Sequence, residues 1–191
     1  MTASVCGQRG GEYPGTRAGA GGGGSFVCSF DGTTVTPLVA AGGAGGASTG
    51  GSAGDVSSTI TYPPTASVGG IETPYPANGH SGAGYSQNGG AGNGGTGGYC
   101  FAQGFLGCSI TATYAIWGGF GGGGDGAISG TYGVGGGGGG WCGGNGGARG
   151  QYGFPGTNYV NSSASGYVAS SATWVGVNNY ITDGYVTVTG A

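Results

Sequence analysis

The chain has 191 residues, of which 57 are glycine, and only 5 % are charged, for a formal net charge of −3. Leu, Ile, Val and Phe are too scarce for a usual two-layer core of large side chains, while the low charge and the 12 Tyr, 6 Phe and 3 Trp exclude a plain disordered linker. Arg9, Arg17 and Arg149 are the only side-chain cations besides one histidine, which excludes a phosphate-tracking nucleic-acid surface and a P-loop.

At the N-terminus, Met1–Cys6 has neither a basic n-region nor an apolar h-region, so no secretory signal is visible. No apolar run approaches the roughly 20 residues of a membrane span. The expectation is a single glycine-rich domain over residues 1–191, as a processed chain or a segment of a longer secreted one. The first strand is predicted at Ala3–Cys6. Ser25–Phe30 and Thr34–Ala41 follow as a hairpin, turned by Asp31-Gly32 between alternating apolar residues. Pro37 implies an edge position or an early end for the second of these strands.

Glycine tracts punctuate the chain at 21–24, 42–46, 89–98, 118–124, 135–140 and 143–150. They lack the strict three-residue repeat of collagen. Extended threefold strands of glycine have no internal hydrogen bonds, but several side by side can pair each other's N–H and C=O groups. The tracts at 118–124 and 135–150 are expected to pack this way against 42–46 and 89–98. Gly121, Gly122, Gly137 and Gly138 would sit in the interior, with Trp117, Phe120 and Trp141 as caps and fillers. Asp55–His80 reads as a surface loop. Gly166–Ser170, Thr173–Val177 and Tyr185–Thr189 read as strands, the last most clearly. Helix signals are poor throughout, so the chain is expected to be mainly β and irregular, with almost no α-helix.

Little in the sequence carries chemistry. His80 is the only histidine, placed in the loop Ala77–Ser81 with no proton-transfer or ligand role, so its removal is expected to be nearly neutral. The acids Glu12, Asp31, Asp55, Glu72, Asp125 and Asp183 are scattered, and Asp125 within Gly121–Gly126 reads as a turn residue. No catalytic, metal or cofactor residues are assigned, and the chain is expected not to be an enzyme. Cys6, Cys28, Cys100, Cys108 and Cys142 are read as disulfide cysteines of an extracellular protein. The short spacing predicts a Cys100–Cys108 bridge, with Cys142 joined to Cys28 or Cys6. Asn161-Ser-Ser163 is an N-glycosylation sequon.

Gly21–Val27 (GGGGSFV), Thr36–Gly43 (TPLVAAGG), the tracts at 118–124 and 135–147 and the final Asp183–Thr189 together resemble the glycine-rich extracellular domain of the anaplastic lymphoma kinase and leukocyte tyrosine kinase receptors. The resemblance spans residues 7 to about 189. It implies a β-sandwich-like frame carrying a bundle of polyglycine II helices. The sequence contains no kinase, membrane span or cysteine-rich growth-factor-like module, so the receptors' cytokine binding is not carried over. Tail-fibre tip adhesins of some bacteriophages are similar through packed polyglycine helices, without the SFV and TPLVAA strands. The expected function is a non-catalytic structural module, extracellular or at the cell surface, that self-associates into a coat or filament. The alternative is a receptor-like or adhesin-like domain that binds a protein or glycan. Expected partners are therefore copies of itself or another extracellular protein or glycan, with no nucleic acid and no membrane span.

Overall fold

The computed structural model describes residues 2–5, 18–48, 60–61, 79–91, 97–108, 117–129, 132–148 and 150–162. Among them are seven short strands and one 3-10 helix (Phe101–Gln103), with no α-helix. The chain is mainly β and irregular, and none of its described helices is long and apolar enough to cross a membrane. The predicted strands at 166–189 lie outside the described residues.

The strands are β1 (Thr2–Val5), β2 (Ser25–Phe30), β3 (Val35–Ala41), β4 (Ile60–Thr61), β5 (Ala127–Ser129), β6 (Tyr132–Val134) and β7 (Asn158–Val160). The β2–β3 hairpin forms where its turn chemistry places it. The Asp31 carboxylate accepts the N–H groups of Thr33 and Thr34 at 2.9 and 2.8 Å. Gly32 takes a φ of +105°, which favours glycine. Five strands form one sheet in the order β1-β2-β3-β7-β4, and β5 and β6 pair separately.

Pro37 implies an edge position or an early strand end; β3 does not end there but runs on to Ala41 between β2 and β7, while Pro37 itself lies outside the pairing with β7. The register against β2 shifts at Val27/Cys28, and β7 engages β3 only at Val39 and Ala40, so the ladder asks no hydrogen bond of the missing Pro37 N–H. The stretch 55–80, read as a surface loop, contributes β4, which pairs in parallel with β7.

The core lies on one face of this sheet. Phe26 pairs with Ala40, and Ala40 with Tyr159, while Cys28 is two residues along from Phe26 on the same face. Phe105 stacks on Phe26 at 4.4 Å, and Trp141 on Tyr159 at 3.8 Å. Tyr85 bridges the two stacks, 5.4 Å from Trp141 and 6.0 Å from Phe26, and itself stacks on Phe101 at 5.1 Å. Such aromatic pairs are worth about 0.5–1.5 kcal/mol each beyond area burial. Phe120 is partly buried against this cluster. Trp117 is not a cap: it is 62 % exposed. The backbones of Gly107 and Gly118 pack so closely that a Cβ on Gly107 would lie 1.9 Å from the Gly118 oxygen, leaving no room inside for an indole.

The glycine tracts meet through their backbones. Gly135–Gly140 donates in turn to Gln151, Gly19, His80, Phe154, Gly22 and Ala83. Each third donor returns to the same segment, three residues further along. The carbonyls of Gly135, Gly136, Gly137, Gly138 and Gly139 accept from Gly147, Gly46, Gly124, Gly144 and Gly43. All eleven of these bonds measure 2.7–3.1 Å, and they tie the tract to six other segments. Pairing of this kind needs glycine. A Cβ on Gly137 would lie 2.0 Å from the Gly144 oxygen, and one on Gly138 would lie 2.1 Å from that of Gly43.

The tract at 118–124 differs from its prediction as a continuous extended strand. Gly121 and Gly122 form a turn with φ of +104° and +83°, and Gly123 N–H closes it onto the Gly119 carbonyl. Phe105, itself at a φ of +54°, accepts from both turn amides through its carbonyl. The tract at 89–98, expected beside 118–124 and 135–150, approaches the first of these: a Cβ on Gly98 would lie 2.0 Å from the Gly122 oxygen. Its Gly89 N–H reaches Gly98, and Gly98 N–H reaches Ser81.

Candidate functional site

Three of the segments packed in this lattice carry a side chain into one place. Gly79 and Gly82 face the long tract, since a Cβ on either would fall 2.2 or 2.0 Å from the carbonyl oxygen of Gly135 or Gly138. His80 stands between them. Its carbonyl accepts Gly137 N–H at 2.9 Å, and its own N–H donates to the Asp125 carbonyl at 3.1 Å. Asp125 follows Gly124, whose N–H donates to Gly137. Cys108 donates to the Gly123 carbonyl at 2.9 Å and accepts Gly118 N–H at 3.0 Å. Backbone bonds thus fix all three positions.

Their side chains converge. One donor atom from each of His80, Cys108 and Asp125 lies within 4.8 Å of the others, and His80 Nδ1 is in direct contact with Asp125 Oδ1. The three residues are 1 %, 0 % and 0 % exposed. Asp125 Oδ2 accepts no hydrogen bond from the described residues. A buried carboxylate oxygen without one is costly.

The structure corrects the expectation at each of these residues. His80 is an interior residue in contact with Asp125, because its segment is packed into the lattice. Asp125 is an interior acid and not a solvated turn residue. No disulfide joins any two of Cys28, Cys100, Cys108 and Cys142, so the predicted Cys100–Cys108 bridge is absent. The intervening residues coil back through the 3-10 helix, and Cys100 accepts the N–H groups of Gln103 and Phe105. Cys108 is thereby turned to His80 and Asp125. Cys28 belongs to the aromatic core, where burial pushes its thiol pKa up, and Cys142 is half-buried beside it. Cys6 lies outside the described residues.

One signal for the site was present in the sequence. Within 79–84, glycine recurs at the three-residue interval of the tract it faces, with His80 at an intermediate position. Likewise a lone polar residue in Gly121–Gly126 has only backbone for neighbours, so it must face a place that accommodates it. The sequon residue Asn161 anchors β7 to β3: its Nδ2 donates to the Pro37 carbonyl at 3.1 Å and its N–H to that of Leu38 at 2.7 Å.

Cysteine, histidine and aspartate can make a nucleophile, base and orienting acid. Here the thiol and the carboxylate are wholly enclosed, and no substrate atom reaches them in this conformation. The same three residues offer sulfur, nitrogen and oxygen donors to a cation. Comparison with protein-family models and with curated proteins finds no match to this chain.

Proposed function

We propose that the chain is a non-catalytic extracellular structural module whose glycine tracts form a bundle of polyglycine II helices, and that copies of it associate into a coat or filament. The observation that carries this reading is the hydrogen bonding of Gly135–Gly140 to six segments at a three-residue period. Threefold extended chains packed around a common centre would bond in this way. Interior backbone groups paired throughout make a stiff scaffold that needs few large side chains.

The receptor-type resemblance is supported by where its blocks fall. GGGGSFV runs from the tract at 21–24 into β2, and TPLVAAGG runs from β3 into the tract at 42–46. Leu106 and Trp117, 55 % and 62 % exposed, flank the close approach of Gly107 and Gly118 and offer an apolar contact for a second copy.

Sedimentation velocity and negative-stain micrographs of the purified chain test this. Ordered assemblies that disperse in a Leu106→Ser, Trp117→Ser variant support self-association. A chain that stays monomeric at high concentration contradicts it. Exposed Trp117 also suits the second reading, recognition of a protein or glycan. Monomers that bind a glycan array through Trp117 would favour that reading.

A further inference from the structure

We propose that His80, Cys108 and Asp125 form a closed structural zinc site inside the glycine lattice. Thiolate, imidazole and carboxylate together are a donor set suited to zinc, whereas calcium and magnesium take oxygen ligands in larger numbers. The ligand atoms lie within 4.8 Å of one another. Around a tetrahedral zinc with bonds of about 2.0–2.3 Å the separation is about 3.3–3.7 Å. Binding would therefore draw in the Cys108 sulfur and part His80 Nδ1 from Asp125 Oδ1, with the ion between them.

Charge and hydrogen bonding point the same way. One thiolate and one carboxylate neutralise a divalent cation, so a fully enclosed site would carry no net charge. Asp125 Oδ2, buried and accepting no hydrogen bond from the described residues, gives the carboxylate a second oxygen that can turn to the same cation. The three ligands come from three segments already tied by backbone bonds: His80 to Gly137 and Asp125, Cys108 to Gly123, and Gly124, next to Asp125, to Gly137. A cation there would pin these segments together. Full burial also means that the metal enters as the chain folds, which makes binding energy part of folding energy.

The test is to express the full chain in medium supplemented with zinc, or with cobalt in its place, and to measure bound metal per folded chain. One zinc ion per chain is expected, with X-ray absorption showing one sulfur at about 2.3 Å and nitrogen or oxygen at about 2.0–2.2 Å. The cobalt form should show a thiolate-to-cobalt charge-transfer band. In Cys108→Ser and Asp125→Asn, metal content should fall at least as far as the roughly tenfold to hundredfold loss of affinity typical when an outer-shell partner is removed. Cys142→Ser, outside the site, should keep its metal. Folded wild-type chain without stoichiometric metal, zinc without a sulfur ligand, or either site variant retaining full metal would overturn the proposal. If both site variants fail to fold, the wild-type absorption spectra decide it alone.

Discussion

His80 and Asp125 meet twice, through their side chains, Nδ1 against Oδ1, and through their backbones, where His80 N–H donates to the Asp125 carbonyl at 3.1 Å. The backbone contact aligns two lattice segments, and the side-chain contact lies buried between them. With metal removed by a chelator, His80→Ala would leave the buried Asp125 carboxyl without this contact, and is expected to cost about 1–3 kcal/mol or more. Replacing both residues together under the same conditions, as in His80→Leu with Asp125→Val, should cost less than His80→Ala alone, because neither buried polar side chain of the pair is left without the other. Thermal melts of the three chains measure this. Equal melting of His80→Ala and the parent would show that the pair contributes nothing.

Gly137→Ala is expected to destabilise the domain by at least about 1–3 kcal/mol, the usual range for overpacking a tight interior. The added methyl would meet the Gly144 oxygen at 2.0 Å, and backbone cannot rotate away as a side chain can. Gly32→Ala provides the comparison. Nothing lies within 4 Å of a Cβ there, and only the positive φ opposes it. That change should cost about 1 kcal/mol. Denaturant midpoints of the two variants should therefore separate clearly, with Gly137→Ala the lower.

Tyr85 makes stability fall at high pH. Burial, with the charge of the Cys28 thiolate as a smaller cause, pushes its pKa up to about 12 from an ordinary 10.0. The raised pKa means that the folded state favours the neutral phenol. Its contribution is complete below pH 10 and is lost as pH rises through about 12, because the unfolded chain ionises first. Melting temperature should decline across this window, and less steeply in Tyr85→Phe. Burial raises the Tyr159 pKa as well, and absorbance titration of the phenolates should show late ionisation that diminishes in Tyr85→Phe.

The hairpin was readable because its signals are local: alternating apolar side chains in Ser25–Phe30 and turn chemistry at Asp31-Gly32. Trp141 was readable as a filler because a large ring beside a glycine tract has an obvious space to occupy. The lattice partners were not. Gly135–Gly140 bonds through peptide groups that every residue has, so nothing in its composition favours partners such as Gln151 and Phe154 over the glycine-rich stretch at 89–98. The His80, Cys108 and Asp125 cluster follows from those partners, and it stayed hidden for the same reason. Spacing alone suggested the Cys100–Cys108 bridge, but the positive φ values at Gly104 and Phe105, which no sequence pattern announces, turn that segment another way.

Amide hydrogen exchange at Gly135–Gly140 tests the six-segment lattice most directly, using chain labelled with nitrogen-15 glycine and assigned by NMR. Every one of these six amides donates to another segment's carbonyl, so all should exchange only through opening of the bundle, with protection near that of the Phe26 and Ala40 amides of the central strands. Exchange at the rate of an open chain across Gly135–Gly140, while Phe26 and Ala40 remain protected, would contradict the account.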